Sequence, residues 1–110
     1  MAKALEIHIT APDATQAAQM ARTLVEEGLV ACVNIIPGVR SIYLYEGKIC
    51  DEPEVLCIAK TRQELFERLK VRVLELHPYQ VPEVLAFEVD EGSAAYLDWL
   101  ERSTGSLVSG

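Results

Sequence analysis

No stretch of this sequence approaches the roughly 18 consecutive apolar residues of a membrane-spanning helix, so none is expected. Positive charge is also scarce: ten basic against seventeen acidic side chains leave a net charge of −7. Such a surface repels phosphate backbones and anionic headgroups, so neither nucleic acid nor a membrane surface is an expected partner. Cysteines number three, an odd count with no C-x-x-C, which points away from a disulfide framework or a zinc knuckle. Cys32 in "VACVNII" and Cys57 in "EVLCIAK" lie in apolar runs and read as small hydrophobes, while Cys50 has Asp51 and Glu52 beside it rather than a cation that would favour a thiolate. The opening "MAKALEIHIT" alternates instead of forming the apolar run of a signal peptide, and a cytoplasmic protein is expected.

What is present is an ordinary globular balance, half apolar and a quarter charged. At this length, folding hides roughly 65% of the unfolded chain's surface, enough for one core. One domain over residues 1–110 is expected, with a core of about 4–102 and a Gly/Ser-rich tail, 103–110. Leu5, Ile7 and Ile9 alternate with Glu6, His8 and Thr10, giving a first strand over 4–10. The next segment changes period: Ala14, Ala17, Ala18, Ala21, Leu24 and Val25 share a helical face, Asp13 caps with Gln16, and Gly28 ends the helix. Residues 29–61 read as a long hairpin reversing at Glu46-Gly47-Lys48, its first arm kinked at Pro37-Gly38. A second capping box, Thr61 with Glu64, opens a helix that buries Leu65, Phe66, Leu69, Val73 and Leu76. Pro78 and Pro82 end it, "EVLAFEV" is a fourth strand, and Ser93 opens a short helix.

Strand, helix, strand, strand, helix, strand is the order of an α+β, ferredoxin-like βαββαβ domain, here with a short C-terminal helix. It predicts a four-stranded antiparallel sheet with both main helices on one face. The uncovered face, expected to carry residues such as Val33 or Ile35, would leave a large apolar patch, and the kinked hairpin offers strand edges; self-assembly is the expected remedy. Among functions this scaffold hosts, an RNA binder needs aromatics on the central strands, where this chain has "ACVNII" and "VLCIAK". A metallochaperone needs paired cysteines after the first strand, and an acylphosphatase-type hydrolase needs a glycine-rich loop with an arginine there; "TAPDATQ" supplies neither.

Four segments carry a resemblance: "APDATQAAQMARTLVEEGLVACVNIIPGVRSIYLYEGKI", "IAKT", "ELHPYQVPE" and "YLDWL", spanning about residues 5 to 102. The chain resembles the CutA family, the divalent-cation tolerance proteins. That resemblance implies a homotrimer whose hairpins pair edge to edge, an architecture shared with PII signalling proteins. It implies no catalytic reaction and no required cofactor, with Cu²⁺ or another divalent cation as the expected ion. Two positions that hold proposed copper ligands in some members, a cysteine and a histidine, are here Ile9 and Leu76, and Tyr45 replaces a tryptophan before the hairpin tip. Of the implied copper set only His77 is present.

The stretch "ELHPYQVPE" admits two readings. In one, His77 caps the end of the second helix, Tyr79 is an amphipathic plug and Glu83 accepts a hydrogen bond. In the other, His77 is a metal ligand, or His77, Tyr79, Glu83 and Lys60 form a ligand pocket at a subunit boundary. No second strong ligand shares the helical face of His77, so a metal site must recruit distant groups such as His8, Glu75 or Glu83. His8 shares a strand face with Glu6 and Thr10. The expected function is a non-enzymatic homotrimer linked to divalent-cation tolerance, with weak copper-type binding. The alternative is a PII-like regulator that binds a small anion or metabolite in the inter-subunit cleft. An enzyme using His77 as acid or base would lack a companion nucleophile.

Overall fold

A computed structural model describes residues 3–105. Four strands, β1 (Ala4–Ala11), β2 (Cys32–Tyr45), β3 (Lys48–Arg62) and β4 (Leu85–Glu88), form one antiparallel sheet in the order β2-β3-β1-β4. Helices α1 (Ala14–Glu26) and α2 (Phe66–Leu76) join them, and α3 (Ala94–Arg102) follows. This is the expected ferredoxin-like arrangement. Alternation along β1 directs Leu5, Ile7, Ile9 and Ala11 toward the helices, where Ala17, Met20 and Leu24 of α1 and Leu69 and Val73 of α2 complete the core. Val25, expected on the buried face of α1, is exposed, and Met20 packs in the core.

Both ends of α1 follow local chemistry. Asp13 Oδ1 accepts from the Gln16 N–H at 2.8 Å, and the Gln16 side-chain amide donates to Asp13 Oδ2 at 2.9 Å. Gly28 exits at φ +71°, which lets the Leu29 N–H reach back to the Leu24 carbonyl at 3.0 Å. At the other end of the molecule Glu46 and Gly47 both have positive φ, 49° and 78°, the two-residue reversal whose twist suits a hairpin. The kink is a β-bulge: pairing steps from Ile36↔Leu56 to Val39↔Glu54, leaving one extra residue on β2, with Gly38 at φ +84°. Fourteen residues of β2 at ~3.3 Å each span ~46 Å, and the molecule measures 45 Å along its longest axis.

Three expectations about the strands and the start of the second helix need correction. Val33 and Ile35 face the helices, because their β3 partners Ala59 and Cys57 lie fully buried in the core. The uncovered face instead carries Ile36, Leu56, Ile58, Leu85 and Phe87. The Thr61–Glu64 capping box does not form. Thr61 is still in β3, buried, with its hydroxyl donating to the Leu29 carbonyl at 2.7 Å; a short 3₁₀ turn, Gln63–Leu65, then leads into α2. The fourth strand pairs over Leu85–Glu88, shorter than "EVLAFEV", and meets β1 only from Leu5 to His8.

Helix α3, capped by Ser93 on the Tyr96 N–H, packs Leu97 and Leu100 against Ala4 and Ala31. The packed chain runs past Arg102: Thr104 is buried and accepts Arg62 Nε at 2.7 Å, with Arg62 Nη2 on its carbonyl at 2.9 Å. The expected tail therefore begins later, and its residues 106–110 lie outside the described ones.

Candidate functional site

Because β4 stops pairing with β1 at His8, the edge of β1 beyond it has no strand neighbour on that side among the described residues. The end of α2 fills the gap. His77 is the residue after the helix, extended at φ −80°, ψ 138°, and its backbone N–H closes the last turn on the Val73 carbonyl. Its ring is 2.7 Å from the Thr10 carbonyl through Nε2, and its Nδ1 lies 3.1 Å from the Tyr79 backbone nitrogen. A backbone N–H only donates and a carbonyl only accepts, so the partners fix the tautomer: Nδ1 carries the lone pair and Nε2 the proton. Both ring nitrogens are thereby used, in a side chain only 7% exposed.

Tyr79 continues the network. Its ring sits 4.7 Å from that of His77, and its hydroxyl donates to Glu54 Oε2 at 2.7 Å. Burial and the Glu54 carboxylate push the phenol well above the ordinary tyrosine range. The turn is thus tied at two points, to β1 through His77 and to β3 through Tyr79. Beside it a cavity of about 150 Å³ is bordered by Ala11, Gln16, Met20, Leu76 and His77.

Of the other two sequence-proposed pocket residues, Lys60 lies elsewhere within one chain. Lys60 is in register with Glu6, four residues along β1 from Thr10 and hence ~13 Å away. It lies on the uncovered sheet face, where its ammonium donates to Asn34 Oδ1. Glu83 is exposed and makes no side-chain hydrogen bond or ion pair among the described residues. Glu54, the partner that Tyr79 does find, is 25 residues away in sequence and carries no local signal.

The uncovered face holds a second group. His8 Nε2 lies 2.7 Å from Glu6 Oε2, and the imidazole packs on the Phe87 ring at 4.5 Å. At the end covered by α3, Cys32 Sγ is 3.6 Å from the Tyr96 hydroxyl, whose pKa this contact and burial push up to about 12. Cys57 is fully buried and its thiol is pushed up by desolvation. On the opposite, helical side a groove of about 710 Å³ runs between α1 and α2, and within it Arg72 is bonded to both Glu27 and Glu75. No three side chains of metal-binding type gather at one place among the described residues.

Comparison with known proteins gives one family. The family model described as CutA1 divalent ion tolerance protein matches residues 5–103. The Divalent-cation tolerance protein CutA of Thermus thermophilus is 48% identical over 97 residues, covering 88% of this chain and 94% of that protein. Protein CutA, chloroplastic, of Arabidopsis thaliana is 45% identical over 98 residues, covering 89% of this chain and 54% of that protein, so the chain spans about half of this plant relative. The crystal structure of CutA1 from Oryza sativa superposes with a TM-score of 0.93 at 38% identity over 96% of each chain.

Proposed function

Because the chain belongs to the CutA1 divalent ion tolerance family, we propose that it acts as a non-enzymatic homotrimer in divalent-cation tolerance, with weak binding of copper-type cations. The observation that carries the trimer is the outer hairpin. From Val39↔Glu54 to Tyr45↔Lys48 it projects beyond the bulge with no buried residue, and Ile42, Leu44 and Ile49 are 62–79% exposed. A two-stranded ribbon alone is marginal in water, and its free edges invite pairing. Three copies closing on one another would cover both the ribbon and the apolar sheet face, and closed symmetry leaves no edge over. Light scattering is expected to give the mass of three chains; a monomer at micromolar concentration refutes the proposal.

The non-enzymatic part is supported by what the reactive side chains are doing. The His77 ring is committed to two backbone groups, and the Cys57 thiol is buried with its ionisation disfavoured. A pocket combining His77, Tyr79, Glu83 and Lys60 would need a neighbouring subunit to supply Lys60. The free thiols suit a reducing compartment such as the cytoplasm. The alternative, a regulator holding a small anion between subunits, is favoured by Lys60, which makes no ion pair among the described residues and lies on the face an assembly would cover. A metabolite screen by thermal shift, run beside a Cu²⁺ titration, separates the two readings.

A further inference from the structure

We propose that helix α3 is a hinged cover over one end of the sheet, closed by a clasp between Arg62 and Thr104, and that it opens as a unit while the main core stays folded. Ala4 and Cys32 alternate with Leu5 and Val33, which face the other two helices, so they lie on the otherwise uncovered face, and α3 seals that end of it. Its apolar hold there is small. Where α1 buries Ala17, Met20, Ala21 and Leu24, α3 buries Leu100 alone. Leu100 packs with Ala4, Ala31 and the half-buried Val89 and Leu97, in a cluster that shares no residue with the main core. Two alanines offer little apolar area to lose to water when α3 lifts, and a segment with few buried apolar contacts opens at a lower free energy than the core.

The two ends of α3 differ. On the entering side the Val89 N–H bonds to the Ala4 carbonyl at 3.0 Å, and Asp90, Glu91 and Gly92, all exposed, then make no hydrogen bond among the described residues. This stretch is the hinge. On the leaving side Arg62, its side chain 18% exposed, donates through Nε to the Thr104 hydroxyl at 2.7 Å and through Nη2 to the Thr104 carbonyl at 2.9 Å, so one guanidinium fork holds two atoms of a single buried residue. The hydroxyl donates its own proton to the Leu100 carbonyl at 3.0 Å, which ties the clasp to the buried leucine of α3. Beyond it the Gly105 N–H bonds to the Gly28 carbonyl at 2.8 Å. Gly105 stands at φ +85°, and a Cβ there would collide with Arg62 Nη2, so glycine is what lets the chain cross the guanidinium. With the clasp broken, Ala4 and Ala31 lose their cover and the Cys32 thiol loses the Tyr96 hydroxyl 3.6 Å away. Every contact in the device lies within one chain, so it stands apart from the assembly proposed above.

Hydrogen exchange of the full chain, followed amide by amide by NMR, tests the cover. In the wild type the α3 amides from Leu97 to Ser103 are expected to share one opening equilibrium, at least about tenfold more populated than that of the buried Ala21 and Leu24 amides of α1. Thr104→Val, which keeps the branched shape and removes the hydroxyl, should speed α3 exchange at least about tenfold, the weight of a hydrogen bond to a charged group, and Thr104→Ser should stay near wild type. Exchange of α3 no faster than that of α1, or unchanged in Thr104→Val, overturns the cover; the wild-type comparison decides it should the valine variant fail to fold. Two protein concentrations separate the cover from the assembly. Opening within one chain does not depend on concentration, whereas α3 exchange that slows as concentration rises would mean that subunit separation frees the helix, and this too overturns the cover.

Discussion

Replacing His77 by alanine should destabilise the chain by about 3 kcal/mol. The substitution removes two hydrogen bonds, Nε2–H to the Thr10 carbonyl at 2.7 Å and the Tyr79 N–H to Nδ1 at 3.1 Å. Each strands a partly buried backbone group, at about 1 kcal/mol or more apiece. Loss of the ring contact with Tyr79 adds roughly 0.5–1.5 kcal/mol. With an unfolding entropy of about 2.1 cal/mol/K per residue, 3 kcal/mol corresponds to a fall in Tm of roughly 13 °C. Two partial replacements separate the bonds. His77→Gln places an amide donor where Nε2 stands and should restore the Thr10 bond; His77→Asn places an acceptor near Nδ1 and should restore the bond from Tyr79. Each is expected to recover about 1 kcal/mol. Urea melts at one fixed protein concentration, so that subunit association contributes equally, provide the measurement. Alanine within about 0.5 kcal/mol of wild type would refute the double engagement of the ring, as would glutamine and asparagine variants no better than alanine.

Gly38→Val is expected to cost about 1–2 kcal/mol per chain from backbone strain alone, because φ is +84° while an added Cβ meets nothing within 4 Å; an unchanged melt would mean that the bulge tolerates an L side chain. At alkaline pH stability should fall. The Tyr96 and Tyr79 phenols have folded pKa values above the ordinary 10, so the stability they confer is complete below pH 10 and is lost as pH rises, through about 12 for Tyr96. Denaturant melts across that range, read beside tyrosinate absorbance, check it; constant stability together with tyrosinate appearing near pH 10 would contradict the contacts with Cys32 and Glu54.

Features governed by neighbours in sequence were legible in it. The Asp13–Gln16 cap, the left-handed Gly28, the Glu46-Gly47 reversal and the bulge at Gly38 each depend on a few consecutive residues, and each forms as read. The misreadings share another cause. In "CVNII" apolar residues fall on both faces, so alternation cannot say which face meets the helices; pairing of Val33 with Ala59 decides it. Thr61 and Glu64 have the spacing of a capping box, but Thr61 is held extended by the ladder with Leu5, and its hydroxyl finds the Leu29 carbonyl 32 residues away. At the turn, residue types announced a polar network, and His77 and Tyr79 do form one. Its partners, Thr10 and Glu54, could be supplied only by the fold.

The two histidines show why residue type alone does not tell what a side chain does. His77 lies where regular structure runs out on both sides: α2 has just ended, and the edge of β1 has passed the end of β4. Backbone groups in such places need partners, and an imidazole, a donor and an acceptor in one ring, satisfies two of them at once. His8 lies in the middle of the sheet, in register with Ile58 on one side and Leu85 on the other. There the ladders meet the backbone's needs, and its ring is left to side chains, Glu6 and Phe87. The histidine in the more suggestive sequence context is the one the backbone consumes, and the one in a plain alternating strand is bonded through side chains alone.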